Sequence, residues 1–208
     1  EGDINPKEAK KLVTSLFTDW QKGVIPAYTI PPTKNVATTE IDFINMDNAV
    51  QSEIAIINNV DLTLGDKDYY AALMASNILG GGGTARLFMN LREDKGYTYG
   101  SYSSLRQDRY AGSFRATASV RNVVTDSSVV ELQKEINKMR YKKVSAEELA
   151  NSKEEYIGGF VMDVQKPRTI ANYALNIERY NLPEDFYENY IKNINAVTLD
   201  DVQNAAIK

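Results

Sequence analysis

Apolar and polar positions repeat along this chain with two periods, and the change of period marks its elements. Ala9, Leu12, Val13, Leu16, Phe17 and Trp20 fall on one face of a predicted helix. Asn5 can cap it, Pro6 suits a first turn whose amide hydrogens have no partner, and Gly23 can stop it. "VIPAYTIPPTKN" follows, three prolines in twelve residues, and reads as an extended linker. Two strands are predicted next, Thr38 to Met46 and Ser52 to Val60, joined by a turn at "DNAV". A helix from about Asp66 to Leu79 carries Tyr70, Leu73, Met74, Asn77 and Ile78 on one side. A shorter one, Thr84 to about Lys95, presents Leu87, Phe88 and Leu91, with Gly96 as its C-terminal cap.

Alternation returns over Tyr97 to Leu105 and Gly112 to Arg121. In the second of these, Phe114, Ala116, Ala118 and Val120 oppose Ser113, Arg115, Thr117, Ser119 and Arg121. The rest reads as helical. Val129, Leu132, Ile136 and Met139 line one helix, Ser145 with Glu148 forms a capping box for the next, and Pro167, Pro183 and Thr198 mark further starts. This order predicts an α+β domain, an antiparallel-rich sheet with helices packed on one face.

Composition narrows the chemistry. With 208 residues, 43% hydrophobic and 25% charged, the chain can bury a real core. A net charge of −4 gives no footprint for a nucleic-acid backbone, so no nucleic-acid partner is expected. No apolar run approaches the roughly 20 residues of a membrane span, and "EGDINPKEAK" does not read as a signal peptide. Histidine and cysteine are both absent. That removes thiolate chemistry, a histidine general base and the donors that catalytic zinc prefers.

The glycine run Gly80, Gly81, Gly82 and Gly83 sits in "NILGGGGTARLFMNLREDKGYTYGSYSS". A phosphate loop needs a Lys-Ser/Thr pair after its last glycine and a strand before its first. Neither is present. A dinucleotide fingerprint fails because the preceding segment reads as a helix. On the residues alone the run is a helix-to-helix turn that admits close approach of another backbone. Glu147, Glu148, Glu154 and Glu155 are spread around a helix and read as a solvated face, while Arg86 reads as structural, bridging to a nearby carboxylate.

The string "LGGGGTARLFMNLREDKGYTYGSYSS" resembles the signature in the C-terminal half of the pitrilysin, insulinase and mitochondrial processing peptidase family of zinc peptidases. "GDINPKEAKKLVTSLFTDW" is similar to the helix that closes the family's preceding domain, and Ser145 to Ile207 matches its helical ending in layout. The resemblance implies that residues 1–36 are a closing helix and linker, and that 37–208 form the zinc-free C-terminal domain. It also implies a further strand beyond Lys208, and an H-x-x-E-H zinc site on another domain or subunit. The isolated chain is then expected to cleave nothing. Its implied partners are a homologous zinc-bearing domain or subunit and a peptide or unfolded polypeptide.

Carried over onto this sequence, the family's arginine matches Arg92 in "LRED" and its tyrosine matches Tyr99 in "GYTYG". Strand alternation is expected to place Tyr99 on the face of Tyr97 and Ser101. Such a pair can donate hydrogen bonds to a substrate carbonyl or a developing oxyanion. The plain alternatives are an arginine that favours a helix C-terminus and pairs with Glu93 or Asp94, and tyrosines packed as ordinary strand residues. A second function stays open beside the enzymatic one: a catalytically inactive structural or interaction domain of the same fold. The compartment stays open between a bacterial periplasm and cytoplasm.

Overall fold

The computed structural model describes residues 3–27, 29–31 and 34–208. Its helices are α1 (Pro6–Leu16), α2 (Tyr69–Gly80), α3 (Arg86–Phe88), α4 (Thr125–Tyr141), α5 (Ala146–Asp163), α6 (Pro167–Tyr180), α7 (Tyr190–Ala196) and α8 (Leu199–Ile207). Three strands, β1 (Gln51–Val60), β2 (Thr98–Arg106) and β3 (Gly112–Arg121), form an antiparallel sheet in the order β1-β3-β2. The α+β class and the antiparallel sheet follow the alternation read from the sequence.

One sheet face is buried. Ile54 of β1, Ala116, Ala118 and Val120 of β3 and Ser101 of β2 turn inward, while Arg115 and Arg121 stay in water. Over that face pack Met74, Ile78 and Leu79 of α2, Leu87 of α3 and Leu91 just after it, Leu132 and Met139 of α4, Leu149 of α5, Ile194 of α7 and Val202 of α8. Several of these are fully buried, each of them worth on the order of 1.5–3 kcal/mol relative to exposure. A second cluster, Tyr69, Leu182 and Phe186, joins α2 to the segment after α6. The caps are those the sequence announced. Asn5 Oδ1 accepts from Lys7 N at 3.0 Å, and Ser145 and Thr198 each close a full capping box.

The element layout departs from the sequence reading at three points outside the segment that holds Arg92 and Tyr99. Thr38 to Met46 is not a strand: it forms no ladder, and Ile41, Phe43, Ile44 and Met46 are exposed. Alternation makes a strand only where a partner supplies a ladder and a surface to cover one face, and no described residue does so here. The turn after it is present, with Ala49 N bonded to Met46 O and Asn48 at φ 64°. Pro183 starts no helix; it opens a series of turns, and α7 begins only at Tyr190. The first helix ends at Leu16 rather than near Gly23.

Residues 3–50 hold no buried position among those described, so the apolar face of α1, including Trp20 beyond its end, lies in water. Gly2 of the first matched stretch and Tyr28, Pro32 and Thr33 of the proline-rich linker lie outside the described residues. The described part of that linker carries neither helix nor strand. One contact ties it to the sheet. Asn35 Nδ2 donates to Asn59 O and Asn35 Oδ1 accepts from Asn59 N, both at 2.8 Å, so a side-chain amide pairs with one rung of the free β1 edge.

Candidate functional site

Two of the four run glycines, Gly80 and Gly81, leave no room for a Cβ, and only at Gly80 is the obstacle another strand. Gly80 lies in the last turn of α2 against β2, where a Cβ would overlap the backbone nitrogen of Ser103 and come within 2.8 Å of Tyr102 C. Ser103 Oγ donates to Ser76 O at 2.7 Å and fastens the same contact. A Cβ on Gly81 would meet the side chain of Asn77 and stand 2.9 Å from its Cα, whereas Gly82 and Gly83 have room. None of the four has a positive φ. The run therefore brings two backbones together and builds no anion cradle.

Beyond it, α3 runs directly into a π-helical turn, Met89–Asp94, which holds Arg92. Lys95 N reaches back to Asn90 O, Gly96 N to Arg92 O and Tyr97 N to Leu91 O, with Gly96 at φ 61° as the cap that reverses the chain. The predicted helix end and cap are thus present, although the last turn is wider than an α-turn. Leu91 points into the core. Asn90 holds the other side: its Nδ2 donates to Glu131 Oε2 at 2.8 Å and to the buried Glu135 Oε1 at 2.6 Å, both on α4. Lys138 Nζ also donates to Glu135 at 2.7 Å. The Asn90 hydrogen bond is the main reason the Glu131 carboxyl is held below its usual range. π-turns concentrate at functional sites.

Arg92 itself is 46% exposed. Its guanidinium lies 4.7 Å from the centroid of Phe88, four residues earlier, and its Nε is 3.4 Å from Glu93 Oε1. Phe88 in turn meets Tyr102 of β2, with ring centroids 6.0 Å apart. The Tyr102 ring covers Gly100, where a Cβ would stand 2.7 Å from Tyr102 Cε2 and Oη. Tyr99 precedes that glycine. A chain of contacts, Arg92 to Phe88 to Tyr102 to Gly100, thus links the two predicted site residues, and among the described residues no hydrogen bond joins Arg92 to Tyr99 directly.

Tyr99 does not share the inward face of Ser101. Thr98 pairs with Val120 and Ser101 with Ala118, so two residues of β2, Tyr99 and Gly100, oppose one residue of β3. This bulge breaks the alternation. Ser101 is 0% exposed and donates to Thr117 O at 2.9 Å, whereas Tyr99 is 86% exposed. Thr98 stitches the bulge: its Oγ1 lies 2.6 Å from Ser119 O and 2.9 Å from Gly100 O, and accepts from Gly100 N at 3.2 Å. Sequence reasoning missed Thr98, Phe88 and Tyr102 as the supports of the site. The i, i+4 spacing of Phe88 and Arg92 was the available signal.

Arg86 is structural. Its Nε and Nη2 donate to Glu148 Oε1 and Oε2 at 2.6 and 2.9 Å, and the hydrogen bonding to this guanidinium pulls the Glu148 carboxyl down to about 2. Glu155 accepts from Asn77 Nδ2 at 3.2 Å. The residues present do not suit zinc, since the chain has no histidine or cysteine, and no group of three or more acidic side chains is placed to hold an ion among the described residues. No described helix is long and apolar enough to cross a membrane.

Comparison with known proteins adds the context. A family described as "Peptidase M16 inactive domain" matches residues 2–156. A Rickettsia felis protein named an uncharacterized zinc protease is 34% identical over 146 residues, 67% of this chain and 34% of its own length. A Bacillus subtilis protein named uncharacterized zinc protease YmxG is 24% identical over 145 residues, covering 70% of this chain and 36% of that protein. The chain therefore spans about a third of the length of these relatives. Among solved structures, a peptidase M16 inactive domain from Pseudomonas fluorescens superposes with a TM-score of 0.84 at 23% identity, covering 99% of this chain and 48% of that one. At that identity the superposition speaks for the fold alone.

Proposed function

The chain belongs to the M16 peptidase family as an inactive domain, and from that premise we propose that it completes the substrate chamber of a zinc peptidase whose metal sits on another domain or subunit. In this reading residues 1–36 are the closing helix and linker of a preceding domain. The uncovered apolar face of α1 supports that assignment. Arg92 and Tyr99 bind the peptide and stabilise the charge that develops on the scissile carbonyl. The observation that carries the reading is the local build: a π-turn presents Arg92, a capping Gly96 reverses the chain, and a bulge lifts Tyr99 out of the pleat into water.

Chemically, a guanidinium offers several fixed donors and a phenol offers one, and an oxyanion needs donors already in place as its charge grows. A peptide can bind by adding a strand to an exposed sheet edge, and in the order β1-β3-β2 the edge strand that carries Tyr99 is β2.

The test is hydrolysis of a quenched fluorescent peptide by the assembled protein, with its zinc-bearing domain or subunit, comparing Arg92→Ala and Tyr99→Phe with the parent. A fall in kcat/KM of about 10²-fold for either variant, with folding intact, is expected. Cleavage indifferent to both substitutions would favour the structural or interaction domain instead.

A further inference from the structure

A second polar site lies away from Arg92 and Tyr99, at the loop end of the β2–β3 hairpin. A cavity of about 420 Å³ is lined there by Arg106, Gln107, Asp108, Ser113, Arg179 and Tyr180, among others. Its donors stand on regular elements. Arg106 occupies the last rung of β2, paired with Ser113, and Arg179 lies in the last turn of α6 with its guanidinium 5.3 Å from the Tyr180 ring centroid. Among the described residues neither Arg106 nor Arg179 makes an ion pair with a carboxylate. Gln107 Nε2 is buried and has no acceptor.

An orphaned buried donor is expensive, about 1–3 kcal/mol, unless a ligand satisfies it. The helix C-terminus accounts for Arg179 by itself, since a cation is favoured there. It does not account for Arg106 or for the unsatisfied Gln107 amide beside it. The one acid in the lining is Asp108, and its Oδ1 already accepts from Arg109 N at 2.6 Å. Two arginines against one aspartate line the cavity, in a chain of net charge −4, and leave its rim locally positive, with the Gln107 amide beside them. Planar forks of this kind suit a carboxylate, which accepts two parallel hydrogen bonds.

We propose that Arg106, Gln107 and Arg179 bind a carboxylate of a peptide, from its C-terminus or from an Asp or Glu side chain. The choice of a peptide rests on the peptidase reading above; the anion chemistry does not.

Fluorescence anisotropy with a labelled unstructured peptide separates the sources. The peptide is made with a free or amidated C-terminus, each with Asp and Glu present or replaced by Asn and Gln. At least one carboxylate-bearing form should bind about tenfold tighter than the form with none, Arg106→Gln and Arg179→Gln should each remove that advantage, and the Gln107 side-chain amide should move in a ¹⁵N NMR titration. Equal binding of all four peptides, no binding of any, or a preference that survives both substitutions overturns the site. Peptide cleavage that is absent from the assembly or indifferent to Arg92→Ala and Tyr99→Phe, with the carboxylate preference intact, counts against the peptidase reading alone; cleavage that responds to those substitutions, with equal binding of all four peptides, counts against the carboxylate site alone.

Discussion

Arg86 and Glu148, 62 residues apart in sequence, are joined by two parallel hydrogen bonds of 2.6 and 2.9 Å, and the same Glu148 accepts from Ser145 N at 2.7 Å to close the capping box of α5. One carboxylate thereby fixes the start of α3 to the start of α5. Both contacts require it ionised.

A pH dependence follows. Glu148 sits at about 2 in the fold against an ordinary 4.5, so its contribution is fully present above pH 4.5 and is lost as pH falls through about 2. Asp201, lowered chiefly by its hydrogen bond from Thr198, acts in the same direction. With a third of the Glu148 side chain exposed, solvent screening leaves on the order of 1–2 kcal/mol. Denaturant melts between pH 5 and 2 should show the Glu148→Gln difference shrinking as the acid limb is reached.

Gly80 and Gly83 should respond oppositely to the same methyl group. At Gly80 a Cβ meets the β2 backbone, which cannot yield as a side-chain tip can, and Gly80→Ala is expected to destabilise by about 1–3 kcal/mol or more. At Gly83 the added atom stands 3.8 Å from Phe88, ordinary contact, and Gly83→Ala should be neutral or slightly stabilising. Thermal melting of the two variants checks this.

Gly96 has open space around its Cα, so only its φ of 61° resists replacement. Gly96→Ala should cost about 1 kcal/mol, and Gly96→Asn should recover part of it, because asparagine tolerates the left-handed region. An unfolding series that ranks Asn below Ala would defeat this account.

Thr98 and Asn90 separate support from contact. Thr98→Val keeps the shape but removes the hydroxyl that bonds Ser119 O and Gly100 across the bulge. The expected loss is about 0.5–1.5 kcal/mol in stability, and on the proposed peptidase reading kcat of the assembled protein falls as well, because Tyr99 is no longer held out of the sheet. Asn90→Ala leaves Glu131 and the buried Glu135 short of a donor and should cost about 1–3 kcal/mol. It should also raise the Glu131 pKa, readable by ¹³C NMR of the carboxyl.

Much of this was legible in the residues because local signals and tertiary packing agree. The alternation of Ala116, Ala118 and Val120 survives because β3 is the central strand, with one face under helices and the other in water. The capping boxes at Ser145 and Thr198 depend only on residues three apart. The same alternation at Ile41 and Phe43 failed, because a ladder is a property of two segments and the sequence displays them singly. Tyr99 was misplaced for a related reason: the extra residue of a bulge leaves no mark until the partner strand is known. The matching motif drew attention to Arg92 and Tyr99, while the contacts that hold them, through Phe88, Tyr102 and Thr98, emerged only in three dimensions.

The π-turn at Met89–Asp94 also sets a rule about length. Such a turn contains one residue more than the α-turn it replaces. Deleting a single residue there would let the helix tighten, and Arg92 would swing by about 100° around the axis, away from Phe88. This stretch can therefore exchange side chains at exposed positions such as Met89 and Glu93, whereas any change in residue count would displace Arg92 while leaving its identity intact.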